Sequence, residues 1–317
     1  MQNNYPVIIS ASRATDIPAF FAEWFINRVR AGYARWVNPF YAGQVQNVSF
    51  EKTRVFVFWS KNPKQLMRYL AELDELGFNY YFQFTVNDYE AEGLEPCLPP
   101  LMSRIETFRN LAEMIGKERV IWRYDPLVLA KSISVDSLLE RVCRIANELC
   151  GFTEKLVISF ADITNYLKVK RNLAKVIDYE DFSRDLMHEF AEKLSAANQN
   201  WRLDLATCAE DVDLTKYGIE HNRCIDDKLM VRLFKDDVRL MDFLGYKKNL
   251  FGDEWTYVKD KGQRKACGCI VSKDIGMYNS CSHFCAYCYA NNSPTVVRNN
   301  LKYHNPNSAF LIDRKGH

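Results

Sequence analysis

Seven of the ten cysteines lie between Cys208 and Cys288, and five of those fall between Cys267 and Cys288. The last three stand in Cys281-Ser282-His283-Phe284-Cys285-Ala286-Tyr287-Cys288, a C-x3-C-x2-C spacing. Three thiolates so spaced can hold three corners of a cubane iron–sulfur cluster (4Fe-4S). Most cubanes take four cysteines. Three leave one iron open, which is what a metal needs in order to bind a reactant. A zinc knuckle is the other reading of the same spacing. Cys208, Cys224, Cys267 and Cys269 come from three further segments. Together they suit a second cubane or a tetrahedral zinc. Taken singly, Cys208 and Cys224 read as ordinary buried thiols. Cys97, Cys143 and Cys150 are scattered and read as core thiols, the latter two being seven apart on a predicted helix.

Two histidines and a basic run accompany the cysteines. His283, inside the loop, would hydrogen-bond a cluster sulfide and tune it, or would orient the loop backbone. His304 would cover the site from the tail. The lysines and arginine between Lys259 and Lys265 would lower nearby thiol pKa values, meet a phosphate-bearing substrate, or remain a solvated face.

Residues that must position this chemistry come earlier. Short apolar runs predict strands over Val7–Ser12, Val55–Ser60, Tyr80–Asn87, Val120–Asp125, Leu156–Ala161 and Trp201–Thr207. Amphipathic stretches predict helices over Asn62–Leu76, Ser103–Ile115, Val135–Cys150, Asn165–Val176 and Phe182–Ala197. Strand–helix alternation implies βαβ units and a parallel sheet. Six units suit a partial barrel or a doubly wound sheet. Alternation places Gln83, Thr85 and Asn87 on one face of their strand and Phe82, Phe84 and Val86 on the other; Arg123 and Asp125 also share a face. A sheet covered by helices on both sides should be apolar on both. A polar face instead suggests a lumen, so the expected fold is α/β, a partial (β/α)6 TIM-like barrel with a C-terminal cysteine-rich tail. Residues 1–210 would form the barrel, and residues 211–317 a helical extension and cluster-binding tail folded over its mouth.

Sites in such folds lie at the C-terminal ends of the strands. The strand exits carry Arg13 and Asp16, then Lys61 and Asn62, Asn87, Arg123 and Asp125, Asp162, and Cys208. Lys61 and Arg123 suit a carboxylate or phosphate. Asp16 and Asp125 suit ribose hydroxyls or an ammonium. Duller roles are available too: Asp16 or Asn62 could cap the next helix, and Arg123 with Asp125 could be a structural ion pair.

Composition sets the outer limits. The chain has 317 residues, 48% hydrophobic and 26% charged, which fits a folded globular protein and excludes disorder. A net charge of +2 gives no general case for a nucleic-acid or membrane-surface binder. The opening residues lack a secretory pattern, and no run of apolar residues is long enough to span a bilayer. A cytoplasmic location is expected, where disulfides are rare and clustered cysteines point to metals.

The loop Cys281–Cys288, aromatic Tyr287 included, resembles the signature loop of radical S-adenosylmethionine enzymes. The resemblance implies a partial (β/α)6 barrel and a 4Fe-4S cluster on Cys281, Cys285 and Cys288. It implies an open iron that chelates S-adenosylmethionine, and Tyr287 packed beside cluster and adenine. It also implies an electron donor such as a flavodoxin or ferredoxin. In that superfamily the loop follows the first strand; here it follows all six. The glycine-rich segment that usually ends the second strand is replaced by Trp59-Ser60-Lys61-Asn62-Pro63. This arrangement is similar to the bacterial family designated domain of unknown function 1848, from Arg13-Ala14-Thr15-Asp16-Ile17-Pro18-Ala19 through Phe58–Pro63 to Cys224-Ile225-Asp226 and the tail. Looser relatives include the spore photoproduct lyases, which repair DNA.

The leading expectation is therefore a radical S-adenosylmethionine-type enzyme acting on an unknown substrate. Lys61, Arg123 and Asp125 would serve catalysis, and Arg13, Asp16, Asn62, Asn87, His283 and Tyr287 would hold the cofactor. Two alternatives stand beside it. One is a non-catalytic iron–sulfur or zinc module, with nucleic acid as a possible but disfavoured partner. The other is an iron–sulfur enzyme that uses the open iron as a Lewis acid.

Overall fold

The structure is a computed structural model that describes residues 2–39, 41–161, 163, 166–249 and 252–313. Asp162 and Asn165, expected at the fifth strand exit and the helix after it, lie outside the described residues.

Eight parallel strands form the main sheet. They are β1 (Ile8–Ala11), β2 (Val55–Ser60), β3 (Asn79–Thr85), β4 (Val120–Leu127), β5 (Lys155–Phe160), β6 (Asp204–Thr207), β7 (Ile219–His221) and β8 (Lys273–Asp274). The order across the sheet is β7-β6-β5-β4-β3-β2-β1-β8, and every pairing is parallel. From β1 to β7 the order simply follows the chain. A doubly wound sheet would reverse its order at a switch point; this one does not.

The six expected strands are present with shifted ends. The sixth begins at Asp204, not Trp201, because Arg202 takes a left-handed φ of 55° that breaks the extended run. Two further strands join the edges. β7 adds to β6 and β8 to β1, so that tail residues Lys273 and Asp274 lie beside Ile9 and Ser10. An antiparallel pair, Tyr33–Asn38 with Tyr41–Ser49, also stands between β1 and β2.

Helices α1 (Ala22–Ala31), α2 (Leu70–Glu75), α3 (Leu101–Ile115), α4 (Val135–Leu149), α5 (Leu167–Leu173) and α6 (Arg184–Ala197) lie in the connections. The stretch predicted as one helix over Asn62–Leu76 is a 3-10 turn, Pro63–Tyr69, leading into α2. All six helices bury their apolar residues against one face of the sheet. That face presents Ile9, Phe56, Phe58, Tyr80, Phe82, Phe84, Trp122, Tyr124, Leu156 and Ile158. The opposite face presents Ile8, Val55, Val57, Tyr81, Ile121 and Val157 toward the N-terminal ends of the strands. These pack against α7 (Asp227–Phe234), α8 (Val238–Leu244), Ile225 and Ile270. Toward the C-terminal ends this second face becomes polar, with Ser10, Gln83, Thr85, Arg123 and Ser159 all buried. The polar strand face read from the sequence is thus present.

No helix among the described residues is long and apolar enough to cross a membrane.

Candidate functional site

The loop carrying Cys281, Cys285 and Cys288 docks on the segments that follow β1, β2 and β3. Ala286 N–H donates to Leu94 O at 2.8 Å, and Tyr289 Oη to Arg13 O at 2.9 Å. Phe284 takes a left-handed φ of 53°, which curls the backbone between the first two cysteines. Asn291 Nδ2 closes the loop on Cys281 O at 2.8 Å. The three thiols share one neighbourhood. Burial pushes all three up, Cys281 to about 12, and the charges of Cys281 and Cys288 both act on Cys285. Lys61 alone among the nearer groups draws Cys285 down. Three half-buried thiols gathered on one loop could be held as thiolates by a bound cation, which stabilises that form directly.

Beside Cys285 lies a buried polar knot. Lys61 Nζ donates to Glu95 Oε1 at 2.7 Å and to Tyr287 Oη at 2.9 Å. Tyr287 Oη donates to Glu95 Oε1. Asn87 Nδ2 reaches Glu95 Oε1 at 3.1 Å, Tyr287 Oη at 3.0 Å and Asp125 O at 3.1 Å. Burial disfavours both charges of the Lys61–Glu95 pair. The opposite partner outweighs it: with Cys285 and Asp125 also nearby, Lys61 is held above the ordinary lysine value, and Glu95, flanked by Lys61 and Arg104, below the carboxylate range. Glu95 Oε2 is buried without a hydrogen bond, its closest charge being Arg104 Nη1 at 3.7 Å. Tyr287 therefore packs on Lys61, 5.4 Å from ammonium to ring centre.

Asp16 does the duller of its two expected jobs, and more. Its Oδ1 accepts from Ala19 N at 2.9 Å, capping the one-turn helix Ile17–Phe20, and from Ser60 Oγ at 2.7 Å. Its Oδ2 accepts from Lys61 N and lies against His283 Nε2, both at 2.8 Å. With both oxygens bonded, Asp16 ties the cysteine loop to the sheet. His283 accordingly orients the loop, and its Nδ1 is buried without a partner. Asn62 makes no side-chain cap; only its N–H is used, on Ser60 Oγ at 3.0 Å.

Arg123 and Asp125 form the ion pair anticipated, through both Nε at 3.1 Å and Nη2. Arg123 Nη1 extends past it to Gln83 Oε1 at 3.1 Å and Cys224 Sγ at 3.0 Å. Burial opposes the charge of each, but Arg123 keeps Asp125 below the carboxylate range, aided by Ser159. This pair stands between the two groups of thiols, since Asp125 acts on Lys61 on one side and on Cys208 on the other.

The second group is assembled on the polar sheet face. Cys208 Sγ is 3.5 Å from Cys224 Sγ, and Cys224 and Cys267 are each in side-chain contact with Cys269. Arg13, expected at the rim, turns toward this group: it stacks 5.1 Å above Trp59, and although burial opposes its charge, Cys269 and then Asp274 hold it above the ordinary arginine value. The lowered pKa of Cys267, about 7, comes first from Cys269 and not from the lysines of the 259–265 run, of which Lys259 bonds Lys265 O instead. Among the described residues, no three Cys, His, Asp or Glu side chains already stand in ligand geometry about one point.

One expectation is corrected. Cys97 and Cys150 are exposed and Cys143 is only partly buried. The buried stripe of α4 runs through Leu138, Val142, Ile145 and Leu149, which puts Cys143 at its margin and Cys150 past its end. His304 bonds Leu311 O at 2.7 Å and packs on Phe21, which braces the tail. Sequence reasoning also missed two acids. Glu95 has no motif around it. Asp274 accepts from Ser10 Oγ, Ser12 Oγ, Arg13 N and Gly276 N, at 2.7 to 2.8 Å, tying the tail to β1. Ser10 and Ser12, alternating on the first strand, were the available signal.

A family model described as domain of unknown function (DUF1848) matches residues 8–290, a span that includes every strand of the main sheet and all seven clustered cysteines. The chain belongs to that family. No curated protein and no solved structure matches it.

Proposed function

We propose that this chain is an iron–sulfur enzyme of radical S-adenosylmethionine type, with Cys281, Cys285 and Cys288 as cluster ligands. The observation that carries the reading is the placement of three half-buried thiols, and no fourth on that loop, at the C-terminal end of a parallel sheet. Bound there, a 4Fe-4S cluster would supply one electron to the sulfonium of S-adenosylmethionine, yielding methionine and a 5′-deoxyadenosyl radical.

The rest is the work of this chain's residues. Asp16 and His283 fix the loop's position. Lys61 supplies positive charge beside Cys285 and so favours its thiolate. Glu95, Asn87 and Tyr287 hold Lys61 in place. Glu95 Oε2, 3.7 Å from Arg104 Nη1 but without a hydrogen bond, suits an ammonium or hydroxyl of a bound molecule. Asp125 and Arg123, between the thiol groups, are the best-placed residues to meet a substrate. We read the singly wound sheet, with its crossover helices on one face, as the wall of an open (β/α)6 barrel.

The test is anaerobic. The protein is reconstituted with iron and sulfide, reduced, and mixed with S-adenosylmethionine. The expected product is 5′-deoxyadenosine. A fully loaded cluster that yields none would overturn the radical reading and leave the Lewis-acid one. A Cys285→Ala variant that keeps full iron at the loop would overturn the ligand assignment.

A further inference from the structure

We propose that Cys208, Cys224, Cys267 and Cys269 hold a second, thiophilic metal centre, zinc or an iron–sulfur cluster, on the polar face of the sheet. The proposal is independent of the loop at the rim.

Three features carry it. First, the fold gathers the sulfurs from three distant segments. Cys208 follows β6, Cys224 follows β7, and Cys267 and Cys269 precede β8. Gly268 makes the last approach possible: a Cβ there would stand 3.0 Å from Arg223 Cγ and 3.2 Å from Asn222 O. All four are free of disulfides. A set of four sulfur donors suits tetrahedral zinc or iron–sulfur chemistry. Ligation needs the side chains to rotate from one another onto a common point.

Second, nitrogen donors are aimed at these sulfurs. Arg123 Nη1 stands 3.0 Å from Cys224 Sγ, Asn222 Nδ2 3.4 Å from the same atom, and Ile225 N 3.4 Å from Cys269 Sγ. A neutral thiol is a weak acceptor and repays such donors poorly; a metal-bound thiolate repays them well.

Third, the charges match. Four thiolates around one dication leave about two negative charges, which are costly to bury unless compensated. Arg123 is 2% exposed and contacts Cys224 directly. Arg13 feels Cys269, Cys224 and Cys267, and its Nη2 is buried with no hydrogen-bond partner among the described residues. Two guanidiniums beside four cysteines are an environment built for an anionic centre, and a poor one for four neutral thiols.

The deciding experiment removes the rim loop's thiols and leaves these four intact. The Cys281→Ala/Cys285→Ala/Cys288→Ala full-length chain is purified without oxygen. Zinc, iron and acid-labile sulfide are then measured, as isolated and after reconstitution with iron and sulfide. About one zinc per chain identifies a mononuclear site, and about four irons with matching sulfide a cubane. Either supports the proposal. Adding Cys208→Ser and Cys269→Ser should lower that metal at least tenfold, with circular dichroism reporting whether the chain still folds. No metal above background in the triple variant overturns the proposal, whether or not the further double variant folds. Full metal retained after loss of Cys208 and Cys269 overturns it as well. Since the rim thiols are absent throughout, failure of the radical reading cannot imitate either result.

Discussion

The two faces of the parallel sheet obey different rules. On the face under α1 to α6, aromatic and aliphatic side chains interlock, as where Phe56, Phe58 and Phe25 meet at ring separations of 5.0 to 6.2 Å. Each contact there is replaceable in kind: another apolar side chain of similar volume would serve. On the other face Gln83, Arg123, Ser159 and Tyr81 are buried just as deeply. None of them is replaceable in kind, because each is held by directed bonds to named partners. A folding chain gains nothing from burying an arginine in place of a leucine. A face that keeps such residues is arranged for something other than stability, and the bonds of Gln83, Arg123 and Tyr81 all reach Cys224.

Variants separate the two faces by what they lose. The largest effect is expected for Cys285→Ala, which should remove the rim iron and reduce 5′-deoxyadenosine formation at least a hundredfold while leaving the fold intact; iron analysis and product chromatography read it. Next is Trp122→Ala on the apolar face. It should cost about 3–5 kcal/mol in denaturant unfolding, yet any surviving folded protein should bind metal at unchanged stoichiometry. Arg123→Met tests the polar face at comparable depth. It strands Asp125 and should cost about 3 kcal/mol, and unlike the tryptophan variant it should weaken metal retention against a chelator. Equal retention by the two would erase the distinction between the faces.

Smaller effects sharpen it. Tyr81→Phe removes a hydroxyl that donates to Cys224 O at 2.7 Å and accepts from Asp226 N at 3.0 Å. A loss of about 1–3 kcal/mol is expected from the two groups left unpaired. Outside both faces, Arg30→Ala breaks the exposed pair with Glu72 at 2.6 Å. A change of at most about 1 kcal/mol should follow.

What could be read in advance divides along physical lines. β2 to β5 were legible because a strand buried on one side by helices must be apolar at every second position. The polar face was legible for the same reason, through Gln83, Thr85, Arg123 and Asp125. β7 and β8, three and two residues long, carry no periodicity and exist only because a neighbour offers an edge. The rim cysteines were legible because their spacing is local. Their supports were not. Glu95 is a single acid in a loop and Asp274 one on a two-residue strand, and their partners are chosen by the fold. Asp16 allowed two readings because a carboxylate at a strand exit looks the same whether it is free or fully bonded; the structure gives it the capping one.

The Asp274 clamp has a consequence for how this protein is made. Its bond to Ser10 joins residues 264 positions apart. A chain growing from its N-terminus can assemble β1 to β6 and their helices as they emerge. It cannot finish the edge beside β1, or seat the loop that follows Gly276, until β8 has left the ribosome. On the proposed ligation, the rim site can be loaded only after β8 and the loop behind it emerge, since Cys281, Cys285 and Cys288 follow Gly276. Chains cut short before β8 would carry β1 to β6 and their helices but none of those three thiols.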